Sequence, residues 1–202
     1  MGLRSTHLQE TASALENEEA TMVLSMKIMT DYLVEFGAEK VPHTRKTYLG
    51  HAVSVYQDMK EWQAEDELCR AAMFHSIYGT EGFQTLTLPL DRREELRTLI
   101  GERAEKLAYV NCAMDRESFY GQVDQYQDDY QIKDRLAGGT MDLSHVEFED
   151  LIRLHLCDFL EQCERTDHWH YERETMRAMS ERLGGAAREA YEATFAREPR
   201  SD

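Results

Sequence analysis

The sequence predicts an all-α protein folded as one domain, on three observations. Apolar residues recur at spacings of three and four through most of the chain, the mark of helices with one buried face. Only three prolines, Pro42, Pro89 and Pro199, interrupt it, so long helices meet few breakers. The length, 202 residues with 42% hydrophobic content, supplies one substantial core without a second domain.

Taken in order, residues 1–19 are polar and acidic and read as an N-terminal arm, followed by a helical domain over 20–197 and a tail at 198–202. Met22, Met26, Met29, Leu33 and Phe36 mark a first helix that Gly37 stops. Thr44 or Thr47 caps a second helix reaching about Trp62, with Tyr48, His51, Ala52, Val55 and Met59 on its inner side. The next helix starts near Asp66 and places Leu68, Ala72 and His75 on one face. Gly79, Gly82 and Pro89 break the chain, Asp91 opens another helix, and Gly101 separates it from a helix over 102–115. The stretch 116–144, rich in Tyr, Gln and Asp and closing on Gly138-Gly139, reads as a long loop or lid. Ser144 and Glu147 form a capping-box pattern that opens a helix bearing Phe148, Leu151, His155 and Phe159. Two last helices, 168–183 and 185–196, flank Gly184-Gly185.

Composition removes several function classes. A formal net charge of −16, from 39 acidic and 23 basic residues, argues against a broad nucleic-acid surface, which needs clustered Lys and Arg. Four cysteines stand singly with no CxxC pair, so they read as reduced core thiols. No apolar run reaches the roughly 20 residues of a membrane span, and no secretory leader is evident, so a cytoplasmic protein is expected. No dinucleotide fingerprint, Walker loop, nucleophile elbow or HExxH occurs. His168-Trp169-His170 puts its histidines two apart, on different sides of any helix, and reads as surface.

The residues suited to chemistry are inward-facing histidines on neighbouring helices. Imidazole with an adjacent carboxylate suits iron, manganese or zinc, and His51 and His75 are the pair so placed. On spacing alone, each reads first as a core histidine bonded to a neighbour. His43 precedes the His51 helix and is a candidate for substrate binding or proton transfer. Tyr78 and Glu81 lie in a glycine-bounded turn after His75 and are candidates for lining a pocket, or for anchoring the loop. His155 and Asp158, three apart on one helix, offer a further histidine-carboxylate edge, with Glu161 and Gln162 close by as ordinary polar packing.

Gly50-His51-Ala52-Val53-Ser54-Val55-Tyr56, followed by Cys69-Arg70-Ala71-Ala72-Met73-Phe74-His75-Ser76-Ile77-Tyr78-Gly79-Thr80, resembles the first two motifs of the HD-domain superfamily. That superfamily comprises metal-dependent phosphohydrolases, and myo-inositol oxygenase shares its scaffold. With Val41-Pro42-His43 and Ile100-Gly101-Glu102-Arg103-Ala104-Glu105, the likeness is to an uncharacterised HD-like branch. It implies an HD-like helical bundle in which His51 and His75 hold a divalent metal. The next superfamily ligand is an aspartate where this chain carries Ser76, a neutral hydroxyl that cannot bridge two cations. For the later aspartate, Asp115 is the nearest match and Asp158 the next. The implied function is a metal-dependent hydrolase of a phosphorylated or other small polar molecule. The alternatives are a catalytically degenerate binding or scaffold module and an HD-like iron-dependent oxygenase.

Overall fold

The computed structural model describes residues 26–199. The expected arm, the start of the first helix and the end of the tail lie outside them. The first described helix, α1 (26–35), buries Met29 and Leu33 and ends at Gly37, whose φ of 93° is accessible to glycine without a Cβ penalty. A short hairpin, β1 (Pro42–His43) with β2 (Lys46–Thr47), then leads into α2 (Tyr48–Glu61). The Thr47 side chain caps α2 by accepting from Gly50 N at 3.0 Å. Helix α3 (Asp66–Met73) returns alongside α2. Ala52, Ala71 and Ala72, all fully buried, present little bulk where the helices pack.

Helices α4 (Arg93–Ile100) and α5 (Glu102–Ala113) meet at Gly101, where φ is 95°. A 3-10 turn over Leu90–Arg92 precedes α4, so the helix expected from Asp91 begins two residues later. Beyond a short helix α6 (Arg116–Tyr120), the longest described helix is α7 (His145–Thr166), opened by the capping box that Ser144 and Glu147 form. Its middle turns, Leu151 to Leu160, are buried almost all round except Arg153. The cause is its central position, packed by α2, α3 and α5 and also by α8 (Arg173–Leu183) and α9 (Gly185–Phe195). A helix surrounded in this way carries polar side chains such as His155 and Asp158 into the interior.

Three expectations change. Helix dominates, but the fold is not purely all-α, because two small antiparallel sheets are present. The second sheet lies in the stretch read as a long loop, which instead forms α6 and the hairpin β3 (Asp129–Lys133) with β4 (Thr140–Ser144). Tyr130 and Ile132 alternate inward against exposed Asp129, Gln131 and Lys133. Tyr130 stacks on Phe148 of α7 at 3.7 Å between ring centres, which ties the hairpin to the central helix. The expected helix at 168 begins only at Arg173, because Asp167 and Glu172 both adopt left-handed backbone. No helix among the described residues is long and apolar enough to cross a membrane. Cys69, Cys112, Cys157 and Cys163 are all buried free thiols.

Candidate metal centre

Three buried side chains from three helical segments converge: His51 from the first turn of α2, His75 from the turn just past α3, and Asp158 from α7. His51 Nε2 lies 3.1 Å from His75 Nε2 and 3.0 Å from Asp158 Oδ1, and His75 Nε2 lies 3.3 Å from the same oxygen. A metal with bonds of about 2.0–2.1 Å sets its ligands roughly 2.9–3.4 Å apart, from octahedral to tetrahedral geometry. The triangle therefore has the dimensions of one face of a coordination sphere, and His51, His75 and Asp158 can hold a metal ion.

The partners of the far ring nitrogens decide which atoms face inward. His51 Nδ1 donates to Glu161 Oε2 at 2.6 Å, and His75 Nδ1 donates to the Ala72 carbonyl at 2.8 Å. With both Nδ1 protons committed, each neutral imidazole directs an Nε2 lone pair at the shared point, where Asp158 adds a carboxylate oxygen. Acceptor faces acceptor, an arrangement that requires a proton or a cation between them. Burial works against a charged His51, but hydrogen bonds and charges from Asp158 and Glu161 overrule it and push the imidazole up to about 9. Burial would also raise Asp158, yet the His75 and His51 imidazoles hold it well below the usual carboxylate range.

The surroundings fix these groups in place. Gln162 Nε2 donates to Asp158 Oδ1 at 3.1 Å. Glu161 also accepts from Lys46 and Arg165, each at 2.7 Å. Burial raises Glu161, but His51, Arg165 and Lys46 bring it down to about 2. The His75 carbonyl accepts from Asn111 Nδ2 at 2.8 Å and from Cys112 Sγ at 3.2 Å, which ties the ligand turn to α5. Ser76 Oγ lies 3.3 Å from His75 Nε2, at the edge of the triangle.

Of the other residues singled out in the sequence, His43 lies at the site, its ring centre 4.5 Å from those of both His51 and Phe83. Burial, then repulsion from His51, pushes it down to about 4. Asp115 is not part of the cluster. It caps α6 instead, its side chain accepting from Ser118 N at 2.8 Å, because the chain turns outward there from α5. Tyr78 does not line the cavity either: its hydroxyl donates to buried Glu105 at 2.9 Å. Glu81 accepts from the Arg116 backbone N–H at 2.9 Å and borders a different surface hollow. In the His168-Trp169-His170 run, Trp169 is buried, and His168 borders the cavity in front of the triangle. Glu161 is the residue that reading for packing alone undervalued. Its signal was its place about one turn beyond Asp158 and two turns beyond His155 on the same helix.

The cavity in front of the triangle has a volume of about 190 Å³ and reaches Ser76, Thr80, Arg116 and His155. That size admits a small polar molecule or one end of a larger one. A family model described as a domain of unknown function, DUF6817, matches residues 32–116. The match takes in His51 and His75 and stops before Asp158, so the third donor lies outside the part of the chain that is similar to that family. No curated protein and no solved structure matches the chain.

Proposed function

We propose that this chain is an HD-like metal-dependent hydrolase that acts on a phosphorylated or other small polar molecule. One divalent ion, iron, manganese or zinc, would be held by His51, His75 and Asp158. The observation that carries this reading is the meeting of three acceptor atoms at 3.0–3.3 Å, with both imidazole Nδ1 atoms committed elsewhere. Such a donor set suits a divalent cation better than it suits any packing role. Asp158 supplies the carboxylate that the resemblance expects from the later aspartate. Ser76, in place of the bridging aspartate, limits the centre to a single ion.

When bound, the ion polarises a substrate oxygen and lowers the pKa of a water on it. The chain's own residues would do the rest. His43, neutral near pH 7 and set edge-on against the stacked rings of Tyr48 and Phe83, would accept a proton at the cavity wall. Phe83 and Phe159, which also border the cavity, would restrict access of bulk water. Glu161 would keep the His51 ring in the orientation that presents Nε2.

One observation favours a second reading: two histidines and one carboxylate on a single face are also the donor set of non-haem iron oxygenases. The deciding experiment is elemental analysis with paired assays of phosphomonoester hydrolysis and oxygen uptake, on the wild type, Asp158→Asn and His43→Gln. The hydrolase reading expects about one metal ion per chain. Asp158→Asn should lose the ion while keeping its circular dichroism, and His43→Gln should keep it with turnover reduced about 100-fold. Oxygen uptake without hydrolysis would transfer the assignment to the second reading. A wild type that takes up no ion on reconstitution would refute both, leaving the degenerate binding or scaffold module.

A further inference from the structure

The cavity differs from the acidic chain around it. The protein carries a net charge of −16, yet four of its eight histidines border this small space together with Arg116. Among the described residues, the one carboxylate on the wall is Asp158, already engaged with His51 and His75. A hollow in an acidic protein that sets an arginine among hydroxyl groups, with its one carboxylate already engaged, is suited to an anion.

Arg116 is the strongest of these groups. The side chain is half-buried, and a guanidinium nitrogen donates to the Tyr171 hydroxyl at 2.9 Å. No carboxylate oxygen lies within ion-pair distance of its guanidinium among the described residues, whereas Arg93, Arg103 and Arg165 all hold such partners. Most of its fork of donors is therefore uncommitted. Its position is nevertheless fixed. The backbone N–H is held by Glu81, and Gly82 lies beneath the guanidinium, where a Cβ would stand 3.9 Å from two of its nitrogens. Tyr171 is steadied in turn by the Tyr120 hydroxyl at 3.3 Å, and Tyr120 by His155 Nε2 at 3.0 Å. Also on the cavity wall, the Thr80 hydroxyl accepts from Phe83 N and keeps its own proton available.

We propose that Arg116, with Tyr171 and Thr80, is the receptor for a phosphoryl dianion, and that Arg116 determines specificity for phosphate monoesters. A planar carboxylate is satisfied by one arginine fork, whereas a tetrahedral dianion takes further donors, which the Tyr171 and Thr80 hydroxyls offer beside Arg116. The assignment rests on the metal-centre reading only in placing the scissile bond towards His51, His75 and Asp158. The anion receptor itself stands without an ion.

The test is binding of inorganic phosphate by calorimetry to the full chain, chelator-treated and metal-loaded, with metal content measured on the same samples. Chelated wild type should bind phosphate and should not exchange it for acetate at equal concentration. Arg116→Ala should weaken binding tenfold or more, with unchanged circular dichroism and unchanged capacity for metal. Arg116→Lys should recover part of the loss, and Tyr171→Phe should lose less than Arg116→Ala. His51→Ala, which removes the metal, should leave phosphate binding to the chelated protein in place, so failure of the metal centre and failure of the receptor are read separately. The proposal is overturned if wild type binds no phosphate, or if Arg116→Ala binds as wild type does. It is equally overturned if phosphate binds only to metal-loaded protein whatever stands at 116, or if acetate competes as well as phosphate. Should Arg116→Ala fail to fold, the lysine and phenylalanine variants carry the same decision.

Discussion

Two buried polar clusters lie on either side of the turn 74–78, and they are built on opposite principles. Around Glu105, which is wholly buried, every strong acceptor has a donor. Arg93 spans both carboxylate oxygens at 2.7 and 3.1 Å, Arg97 adds a contact at 3.4 Å and the Tyr78 hydroxyl another at 2.9 Å. Arg93 also stacks on Tyr109, 3.7 Å from the ring centre. Around His51, His75 and Asp158 the acceptors outnumber the donors and aim at one point. A satisfied network fastens helices together, while one short of positive charge is suited to hold a cation. Burial and ionisable side chains do not by themselves mark a site. The balance of donors against acceptors does.

Substitutions and pH separate the two clusters experimentally. Glu105→Ala should have the largest effect on stability, lowering it by about 2–4 kcal/mol because Arg93 and Arg97, which are partly solvated, lose their partner. By calorimetry Tm should fall by roughly 5–12 °C while metal content stays as in the wild type; a loss of metal would show that the clusters are not independent. A pH series on chelated protein comes next. His51 is raised from its ordinary 6.5 to about 9, so its contribution, on the order of 1–3 kcal/mol, is fully present below pH 6.5 and lost as the pH climbs through 9. Denaturation of the chelated chain at about pH 6 and about pH 9.5 should show that decline, and metal-loaded protein should not, since the ion takes the proton's place. A flat profile in the chelated protein would mean that the acceptors do not face one another as described.

Glu161→Gln keeps the shape but removes the carboxylate that orients His51, and metal affinity measured against a competing chelator should drop about 10–100-fold. An unchanged affinity would reduce Glu161 to an ion-pair partner of Lys46 and Arg165. Asp115→Ala should have the smallest effect, about 1 kcal/mol from loss of the α6 cap, with no effect on metal. Any change in metal content would reopen the role that sequence position suggested for it.

Much of the fold was legible because helices announce themselves locally. The Thr47 cap, the stops at Gly37 and Gly101 and the Ser144-Glu147 box each depend on residues within one turn of one another, and the structure has all of them. The β3–β4 hairpin was missed although Tyr130 and Ile132 alternate with polar neighbours, because the segment's Tyr, Gln and Asp content suggested a loop more strongly than its short alternation suggested a strand. At the site, His51 and His75 were legible because one helical hairpin brings them together. The third donor was not, because choosing Asp158 over Asp115 depends on where α7 packs, which no local pattern encodes. For Tyr78 the two alternatives, lining a pocket or anchoring the loop, stayed open in the sequence for the same reason: its partner, Glu105, lies on another helix.

The route of the chain through the centre has a kinetic consequence. His51 and Asp158 are separated by about a hundred residues, so an ion joining them closes a long loop and acts as a reversible cross-link on the unfolded chain. The nascent protein exposes His51 and His75 long before α7 has been made, and neither Asp158 nor Glu161 is then present to complete the donor set. Capture of a metal ion by all three donors would therefore follow docking of the helices and would mark a finished fold.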